Sequence, residues 1–201
     1  MKHIFKEGER HRPVLLLLHG TGGDEKSLLG IGEIIDEGAS ILSVKGNVDE
    51  NGMARFFRRL EEGIFDEEDL IFRTKELNDF LDQAADKYKF NRNNIVALGY
   101  SNGANIAASI LLHYPQCLKG AILHHPMVPL RNIEKKSLKD KPIFIGAGDN
   151  DPICRPEETK ELEDIFKDLE ANVYIHWESM GHNLSRIEVE AAKKWYEENI
   201  E

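Results

Sequence analysis

The residue best suited to chemistry is Ser101, held in Gly99-Tyr100-Ser101-Asn102-Gly103. This pentapeptide follows the apolar run Ile95-Val96-Ala97-Leu98 and opens into Ala104-Asn105-Ile106-Ala107-Ala108-Ser109-Ile110-Leu111-Leu112, the order of a strand, a tight turn and a helix with a serine at the apex. Glycine two residues before and two after the serine has a steric reason: strand and helix nearly touch at such a bend, and a Cβ on either flank would collide. The bend forces the serine into a strained conformation costing about 1 to 3 kcal/mol and lifts its hydroxyl above the sheet. The plain alternative is an ordinary glycine-flanked turn, because so short a pattern also arises by chance.

A serine hydroxyl is a weak nucleophile near neutral pH. It needs an imidazole within hydrogen-bond reach to take its proton, and the imidazole needs a carboxylate to hold its tautomer. Of the eight histidines, His3 and His11 lie in a charged segment, His113 sits beyond the turn on the following helix, and His176 is inside an apolar run. His19 is placed to brace a glycine loop, while His124 and His125 follow a strand end and can line a pocket. Only His182 joins a glycine-preceded loop to a strand end late in the chain. For the carboxylate, Asp149 and Asp151 share one loop and Glu178 ends the last apolar run; Asp151 leads modestly because Pro152 stiffens the turn after it.

These residues need a scaffold that carries them to one place. The short apolar runs at 14–18, 40–44, 95–98, 121–123, 142–146 and 173–177 read as strands. They alternate with helical patterns at 24–37, 66–89, 104–112, 156–169 and 185–198. Such alternation predicts an α/β fold, a mostly parallel sheet with helices on both faces, here as a single domain over 1–201. Ligands meet such sheets at the carboxyl ends of the strands. Ser101, Asp151 and His182 all fall there, in the chain order serine, acid, histidine that accompanies a nucleophile elbow.

Composition narrows the function classes. A net charge of −10 argues against nucleic-acid or anionic-membrane partners, which need a basic face. The apolar run at 14–18 is too short for a membrane span or a secretory core, and Cys117 and Cys154 have neither metal-site nor disulfide-framework spacing. Reduced thiols in a cytoplasm are the expectation. Residues 20–27, Gly-Thr-Gly-Gly-Asp-Glu-Lys-Ser, come within one residue of a phosphate-binding P-loop, but Glu25 replaces its second glycine and, with Asp24, would repel phosphate. Residues 46–65 are the least regular. Within them Met53-Ala54-Arg55-Phe56-Phe57-Arg58-Arg59 either covers a substrate pocket or tucks both aromatics into the core and leaves the arginines solvated.

Taken together, His19-Gly20 with Gly22-Gly23, the Gly99 to Gly103 turn, Gly148-x-x-Asp151-Pro152 and Gly181-His182 resemble the carboxylesterase/phospholipase family of α/β-hydrolases, the branch with acyl-protein thioesterase-like enzymes. The likeness spans nearly the whole chain and is nearest to small bacterial carboxylesterases linked to hydroquinone resistance. It implies a three-layer αβα architecture, a Ser101-His182-Asp151 triad, and an oxyanion hole formed by the backbone N–H groups of Thr21 and Asn102. The family more often has glutamine after the nucleophile; a backbone donor tolerates Asn102 in its place. Asn51-Gly52-Met53 with Phe56-Phe57 is similar to a degenerate form of the family's segment beside the acyl pocket, so Met53, Phe56 and Phe57, together with His125 at its strand end, are the expected substrate-binding residues. The expected substrate is a small-molecule ester cleaved without metal or organic cofactor, by a protein free to form a homodimer. A long-chain thioesterase or lysophospholipase, or a low-turnover binding protein that keeps the triad, are the alternatives.

Overall fold

In the computed structural model, which describes residues 1–200, the elements follow one another as β1 (His3–Lys6), β2 (Val14–Leu18), α1 (Leu29–Ile35), β3 (Ser40–Val44), β4 (Val48–Glu50), β5 (Met53–Arg55), β6 (Arg59–Glu61) and β7 (Ile64–Phe65). Then come α2 (Glu67–Tyr88), β8 (Ile95–Tyr100), α3 (Asn102–His113), β9 (Gly120–His124), β10 (Pro142–Gly148), α4 (Pro156–Asp168), β11 (Asn172–Glu178) and α5 (Arg186–Asn199). The main sheet has the order β1-β3-β2-β8-β9-β10-β11; only β1 runs antiparallel, against β3. Residue 201, included in the expected domain, lies outside the described residues.

The central strands read as unbroken apolar runs because both their faces are covered. Val14, Leu16 and Leu18 of β2 enter one core, shared with Leu70, Leu77 and Leu81 of α2, Ile106 and Ile110 of α3, and Leu162 and Phe166 of α4. Leu15 and Leu17 enter the other, against Ile35 of α1 and Val189, Ala192, Trp195 and Tyr196 of α5. Burying each such leucine contributes roughly 1.5 to 3 kcal/mol. The expected parallel sheet with helices on both faces is therefore the observed one. α2 begins where its acidic first turn indicates, with the Asp66 side chain accepting from Asp69 N–H at 3.1 Å.

Three stretches differ from expectation. α1 is shorter than 24–37, because Asp24 accepts from Lys26 N–H at 2.9 Å and its own N–H is held by Ser27 Oγ, which fixes a turn where a helix would start. β1 comes from the charged opening segment, as a half-buried edge strand whose Phe5 stacks on Tyr88. Residues 46–65 fold as two small hairpins, β4-β5 and β6-β7, which rise beside the carboxyl end of the sheet.

The chain leaves β2 toward β3 on one side and resumes at β8 on the other, so the loops after β2 and β8 part at a switch point of the sheet. Gly103 closes this junction. A Cβ there would lie 1.9 Å from Leu18 O of β2, and one at Gly99 would lie 2.6 Å from Ala104 N. The helix can pack so tightly only without those side chains. Gly103→Ala is expected to lower stability by about 2 kcal/mol or more, read as a reduced urea midpoint. Gly30→Ala, where a Cβ meets nothing within 4 Å, should leave it equal or raised. Equal stability of Gly103→Ala and the parent would contradict the close approach.

Candidate active site

Ser101 occupies the turn between β8 and α3 with φ 52° and ψ −114°, a left-handed conformation uncommon outside glycine. The strain is held by its backbone, which donates to His124 O at 2.9 Å and accepts from Asn105 N–H at 2.9 Å. The side chain is thereby aimed at the loop after β11, where His182 Nε2 lies 2.9 Å from Ser101 Oγ. His182 Nδ1 donates to Asp151 Oδ2 at 2.7 Å, which leaves Nε2 with the lone pair that accepts from the serine hydroxyl. Tyr100 Oη donates to His182 O at 2.6 Å and pins that loop. Hydroxyl, imidazole and carboxylate thus form one hydrogen-bonded chain, the arrangement needed for proton transfer away from a nucleophile.

The competing acids are engaged elsewhere. Asp149 is exposed and accepts from Ser179 Oγ, and Glu178 pairs with His176 and accepts from Ser185 Oγ. Asp151 is buried. Its Oδ1 accepts from Ile153 and Cys154 N–H groups at 2.8 and 2.9 Å. Burial alone would push its carboxyl up, but these bonds and those from His182 and His125 outweigh it and hold the carboxyl below the usual range. Cys154 Sγ donates to Pro126 O at 2.7 Å; burial pushes its thiol up to about 12, so it stays protonated beside the acid.

A cavity of about 340 Å³ opens at Ser101, lined by Thr21, Asn102, Met53, Arg55, Arg59 and His182 among others. Asn102 is the first residue of α3, so its N–H has no acceptor within the helix. Its side chain is buried, and Oδ1 accepts from Phe56 N–H at 2.7 Å, tying the hairpin loop to the start of α3. Thr21 Oγ1 accepts from Arg55 Nη1 at 2.6 Å, and Gly22 N–H donates to Ala54 O at 2.9 Å, so the glycine loop is fastened to β5. His19 braces this loop as expected: Nε2 accepts from Gly46 N–H at 3.0 Å and Nδ1 donates to Gly20 O at 2.6 Å. Burial lowers its pKa, consistent with a neutral ring.

The substrate wall differs from its expectation. Met53 lines the cavity, but Phe56 and Phe57 are fully buried in the core below it, where apolar burial outweighs exposure of two rings. The arginines are not simply solvated: Arg55 is only 3% exposed and, with Arg59, forms part of the wall, both reaching Glu50. His125 does not line the cavity either. It is buried behind Asp151, with Nδ1 2.8 Å from Asp151 Oδ2 and Nε2 3.1 Å from Glu188 Oε2. Glu188 was not singled out from the sequence. Its signal is a carboxylate on the same helical stripe as Ala192 and Trp195, the buried face of α5.

Glu188 also accepts from His124 Nδ1. Burial alone would raise its carboxyl, but the bonds from His124 and His125 hold it at about 2, below the ordinary 4.5. A depressed folded-state pKa contributes stability that is present above the unfolded value and lost as pH falls. The thermal midpoint is therefore expected to fall between about pH 4.5 and pH 2, and Glu188→Gln to fall less steeply there. Parallel curves for parent and variant would contradict this.

The profile of the phospholipase/carboxylesterase family matches residues 1–200. A putative hydrolase of Bacillus subtilis (strain 168), MhqD, is 55% identical over 200 residues, covering 100% of both chains. A Bacillus cereus carboxylesterase structure is 64% identical with a TM-score of 0.98, covering 99% of this chain and 94% of that one. The structure of YahD with malic acid is 34% identical with a TM-score of 0.94, covering 98% of each chain. With its α/β-hydrolase sheet and a match along its length, the chain belongs to the phospholipase/carboxylesterase family.

Proposed function

We propose that the protein is a serine carboxylesterase working through an acyl-enzyme, and the observation that carries this reading is the unbroken Ser101-His182-Asp151 hydrogen-bonded chain at the mouth of a cavity. Ser101 Oγ attacks the ester carbonyl carbon while His182 Nε2 takes its proton, and Asp151 stabilises the imidazolium that forms. The tetrahedral oxyanion is held by the N–H groups of Thr21 and Asn102, each donor contributing roughly a hundredfold to a thousandfold in rate. The intermediate collapses, His182 hands the proton to the departing alcohol, and the acyl group remains on Ser101. Water then attacks the acyl-enzyme, with His182 again accepting the proton, and the acid is released. No step calls for a metal or an organic cofactor. Both cysteines are free thiols and buried, which suits a reducing cytoplasm; among the described residues no helix is long and apolar enough to cross a membrane.

The two arginines of the wall point to a short ester that carries a carboxylate. With Phe56 and Phe57 withdrawn into the core, the segment beside Ser101 presents Arg55 and Arg59, each paired with Glu50, in a lining that also holds Met53, Glu62, Phe65, Met127 and Ile153. Arginine suits carboxylate recognition through its planar donors, and the YahD relative holds malic acid, a dicarboxylic acid.

Ser101→Ala should reduce ester hydrolysis to the buffer background with the circular dichroism spectrum unchanged, and Asp151→Asn should cost about ten-thousandfold in kcat. In the same pH-stat assay the parent should cleave monoethyl succinate with a kcat/KM roughly tenfold above ethyl butyrate, a preference that Arg59→Met removes. Full activity in Ser101→Ala would move the nucleophile elsewhere; equal cleavage of both esters would return the substrate class to neutral esters.

A further inference from the structure

The carboxylate that holds His182 does not act alone. Asp151 Oδ2 accepts from two imidazoles, His182 Nδ1 at 2.7 Å and His125 Nδ1 at 2.8 Å. The other nitrogen of His125 faces Glu188 Oε2 at 3.1 Å, so this ring lies between two buried carboxylates. A carboxylate oxygen only accepts, and both nitrogens can donate only if the ring is an imidazolium. We infer that His125 and Glu188 are positioning residues for the Ser101-His182-Asp151 chain: His125 stays an imidazolium clamped by Glu188, and its charge keeps His182 neutral, and able to take the serine proton, to lower pH than Asp151 alone would allow.

Three independent features of the fold sustain this arrangement. Gly146 of β10 leaves the space that the Glu188 carboxylate fills, for a Cβ there would lie 1.9 Å from Glu188 Oε1. His125 itself is held at φ 53°, a left-handed conformation costly for a histidine, by its N–H donating to Gly146 O at 2.7 Å. The start of α5 is set by Ser185, whose hydroxyl accepts from Glu188 N–H at 3.0 Å. Strain, an empty Cβ position and a helix cap converge on one buried ion cluster.

The charges around His125 can be followed element by element. The loop after β10 presents Asp151, α5 presents Glu188, and the loop after β11 presents His182, whose ring centroid is 5.1 Å away. From β8 comes Tyr100, 6.1 Å between ring centroids, its phenol pushed up by burial and then by Asp151 and Glu188, and so neutral. On the His125 side of β9, His124 Nδ1 bonds to Glu188, while its buried Nε2 has no hydrogen-bond partner among the described residues. Burial pulls the His125 pKa down, but the bonds and charges of Glu188 and Asp151 outweigh it and raise the ring above the ordinary value. With His182 neutral, Asp151 and Glu188 set two negative charges against the one positive charge of His125. Protonating His182 sets a second cation against the same oxygen as the first, which His125 opposes. Replacing that imidazolium by a neutral side chain removes this opposition.

The inference rests on the acyl-transfer reading for its kinetic consequence, but the charge of His125 can be read without turnover. Imidazole ¹⁵N NMR of the parent protein at pH 7.5 should show both His125 nitrogens protonated, and Glu188→Gln should return His125 to a neutral ring at that pH. In the pH profile of kcat/KM for ethyl butyrate, the acid limb should move up by roughly one to two pH units in His125→Gln. Glu188→Gln and Gly146→Ala should move it in the same direction, the latter by displacing the carboxylate without changing a titrating group. A singly protonated His125 in the parent would overturn the inference, as would variants whose activity falls equally at every pH with the limb unmoved, the mark of a structural role alone. If Ser101→Ala keeps full activity while His125 is doubly protonated, the acyl-enzyme reading fails and the charge assignment stands.

Discussion

The contact between Gly103 and the end of β2 governs the rest of the site. Because α3 starts against the Leu18 carbonyl with no side chain between them, the turn before it has room only for the left-handed backbone seen at Ser101. The same contact sets how far the glycine loop after β2 stands from the first amides of α3. One steric constraint therefore fixes both the direction of the hydroxyl and the spacing of the two backbone segments that flank it. The apolar cores on the two sheet faces supply the energy that keeps this approach in place, since Leu16, Leu18, Ile106 and Ile110 are buried together just below the turn.

A polar counterpart works farther along the same rim, beyond β9. Asp151 has no exposed surface to rely on, so its ionised form is maintained by donors: two backbone N–H groups on Oδ1 and two imidazoles on Oδ2. Glu188 repeats the device one layer deeper with His124 and His125. Buried charges of this kind cost several kcal/mol each unless their hydrogen-bonding capacity is filled, and here it is filled from β9, α5 and the loops after β10 and β11. The cluster therefore couples the position of the last helix to the protonation of the rim. The substrate wall depends on a further set of bonds, in which Asn102 holds the hairpin loop and Arg55 holds the glycine loop.

Much of this was legible in the sequence because it rests on local pattern. β2 and β3 coincide with their apolar runs, α2 begins at its acidic cap, and Ser101, Asp151 and His182 are side chains that the fold brings into hydrogen-bond contact. Strand ends in a parallel sheet all face one rim, so chain order was enough to find them. The remainder depended on pairings between distant segments. Nothing local in His3 to Lys6 announces an edge strand, whose partner is β3. Phe56 and Phe57 are adjacent to arginines in sequence, and only the hairpin decides which side chains turn toward the core and which toward the cavity. Glu188 was the least legible, since a carboxylate in a charged helix has a meaning only once β9 is known to lie opposite it.

In the proposed mechanism Ser101 is the nucleophile that His182 and Asp151 activate. The most direct measurement of this is mass spectrometry of the intact protein and its peptides after reaction with a fluorophosphonate, which a serine oxygen attacks at phosphorus with departure of fluoride. A single phosphonyl adduct is expected, carried by Ser101 and formed in step with loss of esterase activity. An adduct on another residue accompanying that loss, or inactivation with Ser101 unmodified, would contradict it.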